Sequence, residues 1–586
     1  MAPGRGLGIS IAIPIDDVEC ASVARAIAGA SLEVEFLVDD PRASTVVAST
    51  RRLMTLARAA SVRWSELRGR TIEDVALEIR AGDARFERWT RDAEAVEQAS
   101  TAEQAAIGLA LRTLADAIAG AVGDGDAVRT FTRAREVVRA WAWAVSETVR
   151  GKGATERGAR RDDACEDMFT WAVARGGTFK CAPCACEVGS SVMREVRAVE
   201  RVEAGECVAR VPWDALLGVE QTVETSSPSP TSEILKQLTR MGDQIIMVIW
   251  LTAALDAFEC GDASAYEEWA PALRALPTRA SSSLAWNADD LGAVAGEDLA
   301  NRLREYRRSV KVQYDALFPA LCEQVPEAFP ARAFGDYAKF ERAYDIWTSY
   351  AMKVQDPDSL QIREVIVPGV FLCNHSLSAH SVRYTSLERG TKAFRLELSR
   401  GCVEGEAITI SYGRLDNADL LMFYGFSLEN NPYDRVSLHS ITGDANETQL
   451  EALRHASNAC EHDLTRLPVC LARDGSLDRV LAQIRILYAP QQFMQWCELD
   501  EYHPFVVVDF ELEHEILQRL VERLRAMRDE IHTCDDINTP DLTQVASASY
   551  WYRHEQMRIM ESAITRMESL LHEYATRVRK RNRNQH

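Results

Sequence analysis

Apolar residues recur at intervals of three and four over two stretches of the first 160 residues. Ile107, Leu111, Leu114, Ile118 and Val122 form one stripe, opened by the capping-box pair Ser100 and Glu103 and stopped by Gly123. That period places one face of an α-helix against a core. Ala134, Val138, Trp141 and Val145 form a second stripe after Asp126, and the polar run Arg150-Gly151-Lys152-Gly153-Ala154 reads as a linker. Residues 1–160 are therefore predicted to be mostly helical, a packing or partner-binding region without chemistry of its own. From Gly176-Gly177 to Pro212 the pattern shortens to glycine-bounded, valine-rich runs, which predict strands. A break at Ser226-Ser227-Pro228-Ser229-Pro230 leads into a helical section from Glu233 to Met352. Residues 441–586 are again predicted helical, with Met557, Met560, Ile564, Met567 and Leu571 striping the last helix. The basic residues Arg577, Arg579, Lys580, Arg581 and Arg583 read as a solvated tail rather than a nuclear signal.

With 586 residues, 47% hydrophobic and 26% charged, the chain is long enough for roughly two to four domains with their own cores. Its longest apolar run, Ile245 to Leu255, is shorter than the roughly 20 residues a membrane-crossing helix needs, so no membrane partner is expected. The N-terminus reaches Asp16 and Asp17 before any long apolar stretch, which argues against a signal or transit peptide. The expected location is intracellular, cytoplasmic or nuclear, with an organelle left open. Lys plus Arg number 67 against 88 Asp plus Glu, a net charge of −21. That field opposes nucleic acid and suits a basic protein partner. The 14 cysteines are too sparse for a disulfide framework and read as mostly reduced, buried thiols.

The most informative stretch is Cys373-Asn374-His375-Ser376, followed by Ile408-Thr409-Ile410-Ser411-Tyr412-Gly413 and then by Asn417-Ala418-Asp419-Leu420-Leu421-Met422-Phe423-Tyr424-Gly425-Phe426. In this order and at this separation they resemble the second half of a SET-domain methyltransferase. The branch they resemble is that of the Rubisco large-subunit lysine methyltransferases and the actin-histidine methyltransferases. Ala204-Gly205-Glu206 with Val211-Pro212 resembles its opening strands, and Trp269-Ala270-Pro271 with Leu276-Pro277 resembles its insert. Tyr552-Arg553, Glu555-Gln556 and Ile559-Met560 resemble the closing helix of its substrate-binding domain. The resemblance implies an α+β fold: small curved β-sheets around a threaded C-terminal segment, with a helical insert, flanked by N- and C-terminal helical domains. The implied division is a helical region over 1–160, a SET domain over 166–440 with its insert at about 233–352, and a helical substrate-binding domain over 441–586.

Methyl transfer from S-adenosylmethionine to nitrogen requires a neutral nucleophile. A lysine with a pKa of ~10.4 is only about one part in 2,500 neutral at pH 7, a deficit of roughly 4.6 kcal/mol. A hydrophobic channel reduces it by desolvation. Tyr412 shares a strand face with Ile408 and Ile410 by period two and precedes Gly413, which permits a sharp turn. The resemblance implies that Tyr412 is catalytic, its hydroxyl orienting the amine; taken alone it also reads as a half-buried strand tyrosine. Asn374 and His375 are implied to bind the cofactor, their backbone groups meeting the adenine and their side chains tying the threaded segment. Tyr424 is implied in the substrate channel and Phe426 in the cofactor wall, with a core Tyr-Gly-Phe as the alternative for this pair. The expected activity is protein-lysine N-methylation of a non-histone protein, with histidine second.

Three departures from the family pattern oppose cofactor binding. Met193 and Glu195 occupy the register of the Gly-x-Gly cofactor turn, where Cβ atoms would crowd the ligand. Phe371 stands in place of the acid three residues before Asn374-His375, and Tyr350 in place of an arginine of the preceding helix. They define the alternative reading, a catalytically weak or inactive SET-fold scaffold that binds proteins. Cys181, Cys184 and Cys186, with Cys165 as a candidate fourth thiolate, form a cluster that tetrahedral zinc would need complete. In SET proteins the cysteine cluster follows the catalytic tyrosine, whereas this one precedes the cofactor turn. The expectation is free thiols and no metal, with a zinc or redox sensor as the third reading. The scattered histidines read as surface or satisfied core groups.

Overall fold

A computed structural model describes residues 8–12, 33–37, 43–61, 106–121 apart from 108 and 112, 124–150, 159–160, 162–188, 191–224, 229–238, 241–278, 282–286, 297–356, 359–381, 387–439, 443–460, 464–473, 477–497, 504–507, 509–532 and 544–584. The predicted cap Ser100 with Glu103, the stop at Val122 and Gly123, the linker at 151–154, Gly189 and the break at 226–228 lie outside the described residues. So do the side chains of Trp141, Val145, Arg579, Lys580, Arg581 and Arg583. The chain divides into two compact units, Met1–Arg279 with Tyr314–Gly413, and Ala280–Gln313 with Arg414–His586.

The N-terminal part of the first unit adds a strand pair to the helices expected there. Strands β1 (Gly8–Ala12) and β2 (Glu33–Leu37) pair antiparallel, with Gly8 opposite Leu37. Val34 and Phe36 alternate inward along β2 and are fully buried, the period-two pattern of a half-buried strand. Helices α1 (Ala43–Ser61) and α2 (Gly125–Arg150) complete the layer. Asp124 caps α2, its Oδ1 accepting from the backbone N–H of Asp126 and Ala127 at 3.1 Å each. The predicted stripe residues Ile107, Leu111, Leu114, Ala134 and Val138 are buried together, and Ala204 shares their cluster. Arg139 Nε donates to Ala204 O at 2.9 Å and Arg135 Nη2 to Gly205 O at 3.0 Å. This region therefore packs onto the turn before the strand that begins at Cys207.

The remainder of the first unit carries small sheets and a helical insert. In order these are β3 (Ala159–Arg160), α3 (Asp163–Ala174), β4 (Thr178–Phe179), β5 (Cys181–Val188), β6 (Ser191–Ala198), β7 (Cys207–Val211), α4 (Asp243–Cys260), α5 (Glu297–Gln324, of which the residues up to Gln313 belong to the second unit), α6 (Tyr337–Tyr350), β8 (Met352–Gln355), β9 (Ile362–Val365), β10 (Asn374–His375), β11 (Phe394–Glu397) and β12 (Thr409–Ile410). The sheets run β3-β5-β6, β11-β7-β4, β8-β9 and β10-β12. The apolar run Ile245 to Leu255 lies in α4, where Ile246 to Ala257 are buried. Among the described residues no single helix is long and apolar enough to cross a membrane.

The second unit contains α7 (Asn417–Tyr424), β13 (Arg435–Ser437), α8 (Glu447–Cys460), β14 (Cys470–Ala472), α9 (Asp478–Tyr488), α10 (Pro490–Cys497), α11 (Phe510–His532) and α12 (Gln544–Asn584). Met560, Ile564 and Met567 of the predicted terminal stripe are buried in its main core. Residues 280–313 of the expected insert group with 414–586 in this unit, and the first unit ends at Gly413. The physical reason is the burial of Ala418, Leu421 and Met422 of α7 against Trp286, Leu299, Leu303 and Tyr552. That single apolar cluster draws its members from both segments of the unit.

Candidate active site

Strand β12 is held along both edges by one loop. On one edge Asn374 lies opposite Thr409 and His375 opposite Ile410 in parallel register, and Ser376 N–H donates to Ile410 O at 3.2 Å. On the other edge His380 N–H donates to Thr409 O at 2.9 Å and Ser411 N–H to Ser381 O at 3.0 Å. Successive backbone groups of a strand point to alternate sides, so the chain at 409–411 runs through the loop 374–381. Asn374 Nδ2 donates to Arg194 O at 2.9 Å and Ile408 N–H to Val196 O at 2.7 Å, which fastens loop and strand to β6.

Tyr412 leaves this threaded strand beside His375. Its N–H donates to His375 Nδ1 at 3.1 Å, its hydroxyl donates to Cys373 O at 3.1 Å, and the two rings lie 5.3 Å apart. Gly413 then takes φ 114°, with open space where a Cβ would stand. Glycine is needed there for the backbone conformation rather than for room. Gly369 is the opposite case: at φ 80° a Cβ would also stand 3.0 Å from the Phe179 ring. The structure thus brings Asn374, His375 and Tyr412 together. Tyr424 and Phe426 belong to the second unit, at the end of α7 and just after it, with ring centroids 6.3 Å apart. Burial, and then Asp419, pushes the Tyr424 hydroxyl up.

The departures take defined places. Met193 and Glu195 lie inside β6, opposite Cys186 and Cys184, so the expectation that they crowd a cofactor turn is corrected. The hairpin closes between Val188 and Ser191 instead. Glu195 is buried, and its Oε1 accepts from Arg197 Nε at 2.6 Å and from Cys186 Sγ at 3.1 Å. Tyr350 and Phe371 meet edge to face, ring centroids 5.6 Å apart at 77°. The two positions where the resemblance implies an arginine and an acid therefore form one aromatic pair.

A buried network escaped the sequence reading. His380 Nδ1 lies 3.2 Å from Thr409 N, Thr409 Oγ1 and Arg400 Nη2, and its Nε2 lies 3.1 Å from Glu406 Oε1. With two N–H donors aimed at Nδ1, that nitrogen accepts and Nε2 carries the proton given to Glu406. Arg400 Nη1 also donates to Glu406 at 3.0 Å. Burial raises the Glu406 carboxyl, but His380 and Arg400 together hold it well below the usual carboxylate range. No local spacing in the sequence marks this network, because its members meet only when the loop closes on β12.

No protein-family model matches the chain. The actin-histidine N-methyltransferase of Homo sapiens is 22% identical over 287 residues, 48% of this chain and 45% of that protein. The Mus musculus protein of the same name is 21% identical over 309 residues, 51% and 48% of the two chains. The chain thus spans about half the length of these relatives. Among solved structures, the SET domain of LSMT bound to methyllysine and AdoHcy matches with a TM-score of 0.55 at 15% identity, covering 71% of this chain and 94% of that one. Rubisco LSMT bound to AdoMet matches at 0.53 and 16%, covering 71% and 93%. The fold is the SET-domain fold. The matched relatives and structures fall in the branch that the motifs around Asn374 and Tyr412 resemble.

Burial pushes the His375 imidazole down to about 4, with a smaller opposing effect from the Ile410 backbone. The neutral ring is the form that can accept from Tyr412 N–H. An unfolded imidazole titrates near ~6.5, so the stability lent by the neutral ring is complete above about pH 6.5 and is lost as pH falls toward about 4, on the order of 3 kcal/mol. Unfolding midpoints measured across this range are expected to fall more steeply for wild type than for His375→Gln. Parallel curves would remove His375 from this account.

Proposed function

We propose that the chain is an S-adenosylmethionine-dependent protein methyltransferase that acts on a side-chain nitrogen, lysine first and histidine second. The observation that carries the reading is the convergence of Asn374, His375 and Tyr412 on the threaded strand. Both side chains of the Asn374-His375 pair are spent on protein partners, Arg194 O and Tyr412 N. This fits the arrangement in which the side chains tie the segment and its backbone meets the cofactor. The solved relatives carry AdoMet or AdoHcy, and the bound cofactor would supply an electrophilic methyl group.

The chain's own part is positioning. By donating to Cys373 O, the Tyr412 hydroxyl fixes its rotor and offers its lone pairs to an N–H of the incoming amine. That leaves the nitrogen lone pair to face the methyl. The helical second unit is the proposed partner-binding part. It contains a cavity of about 340 Å3 lined in part by Arg302, Arg435, Arg466 and Arg523 with Asp416 and Glu530.

A second reading, a scaffold without turnover, is favoured by the Tyr350–Phe371 pair, which offers no charge where an arginine and an acid are implied. Methyl incorporation from labelled S-adenosylmethionine into lysate proteins separates the two. The enzyme reading predicts incorporation that falls roughly 10²- to 10³-fold in Tyr412→Phe at saturating cofactor, with an unchanged melting curve. Equal rates would exclude Tyr412 from catalysis, and no incorporation by wild type would favour the scaffold.

The matched relatives point both ways on the acceptor, actin-histidine in one case and lysine or methyllysine in the other. The pH dependence of the rate distinguishes them. A lysine of pKa ~10.4 gains neutral fraction about tenfold per pH unit above neutrality, whereas a histidine of pKa ~6.5 is already neutral. The expected profile keeps rising beyond pH ~8, and a plateau from about pH 7.5 would assign histidine.

A further inference from the structure

The β5–β6 hairpin carries a group of donor atoms for which methyl transfer has no use. Side chains alternate along β5, so Cys184 and Cys186 share one face while Cys181 takes the other. The Cys181-x-x-Cys184 spacing is therefore not a ligand pair, and the burial neighbours of Cys181 are instead Cys373, Cys402 and Cys207. Cys165 is separate as well, beside Arg194 and Asp162. The antiparallel register sets Glu195 directly opposite Cys184. The Sγ atoms of Cys184 and Cys186 are 3.5 Å apart, and Cys186 Sγ is 3.1 Å from Glu195 Oε1. All three side chains are buried, with their ligand atoms within 4.8 Å of one another. Among the described residues no other three such side chains meet this closely.

We propose that Cys184, Cys186 and Glu195 bind one divalent ion of the zinc class, which clamps β5 to β6. Zinc bonds of about 2.3 Å to sulfur and 2.0–2.2 Å to carboxylate oxygen set tetrahedral ligand atoms roughly 3.5–3.8 Å apart. The 3.5 and 3.1 Å separations need small outward shifts to meet this, and the third pair lies within 4.8 Å. Two thiolates select against calcium and magnesium, which take hard oxygen ligands. Charge balances on both sides of the exchange. Before binding, two neutral thiols accompany the Glu195 carboxylate and the Arg197 guanidinium, which donates to Glu195 and lies 3.5 Å from Cys186 Sγ. On binding, each thiol gives its proton to solvent, and the ion with Arg197 offsets two thiolates and the carboxylate. Three protein donors leave a fourth position, so the ion exchanges more readily than one closed in by four cysteines. Free thiols were the expectation from sequence, because the third donor comes from strand register and not from cysteine spacing.

The full chain, stripped with a chelator under reducing conditions, is loaded with cadmium and desalted. One retained ion per chain, a cadmium–thiolate ultraviolet band and a raised melting temperature are expected. Cys186→Ser and Glu195→Gln should each weaken retention by about tenfold or more, while Cys181→Ser and Cys260→Ser retain it. No retained ion, or equal retention by Cys186→Ser, would overturn the site. Should the variants fail to fold, alkylation of wild type decides, run long enough for Cys184 and Cys186 of the stripped chain to label and read by mass spectrometry. Protection of Cys184 and Cys186 by the ion supports the site, and unchanged labelling of both contradicts it.

Discussion

The passage of residues 409–411 through the loop 374–381 is the constraint on which the candidate site depends. Chains rarely thread their own loops, and here hydrogen bonds on both edges of β12 hold the arrangement. Neither edge places Tyr412 alone. The Asn374–His375 edge supplies the acceptor for Tyr412 N–H, and the His380–Ser381 edge anchors Thr409 and Ser411 on either side of Ile410. Asn374 then ties the loop to β6 through Arg194 O. A shift of one residue along β12 would send the hydrogen-bonding groups of Thr409 and Ile410 to the wrong edges.

Interior charge is paired, and where the resemblance implies charge at Tyr350 and Phe371 the chain has an edge-to-face ring pair instead, which contributes roughly 0.5–1.5 kcal/mol. Glu195, buried inside a strand, comes with Arg197 at 2.6 Å. His380, Arg400 and Glu406 follow the same rule around Thr409.

Features governed by near neighbours in the chain were legible in the sequence. The three-and-four period found the helices around Leu111 and Met560, and the ordered motifs singled out Asn374, His375 and Tyr412, which the structure brings together. Features governed by contacts far along the chain were not. The strands β1 and β2 are only five residues each, and the helical stripes at 107–122 and 134–145 set the expectation for the whole region, although Val34 and Phe36 alternate. The boundary at 413 follows from α7 packing against Trp286, Leu303 and Tyr552, residues more than 100 positions away in one or other direction. The partners of Cys184 and Cys186 follow from hairpin register, which moved Glu195 from a cofactor turn into a strand.

Calorimetric titration with S-adenosylmethionine, alongside melting curves of wild type and Asn374→Ala, tests the central claim most directly. A native state that binds the cofactor must gain apparent stability. The account predicts measurable heat and a raised melting temperature for wild type, both reduced when Asn374 no longer ties the loop to β6. No heat and no stabilisation of wild type at millimolar cofactor would contradict it.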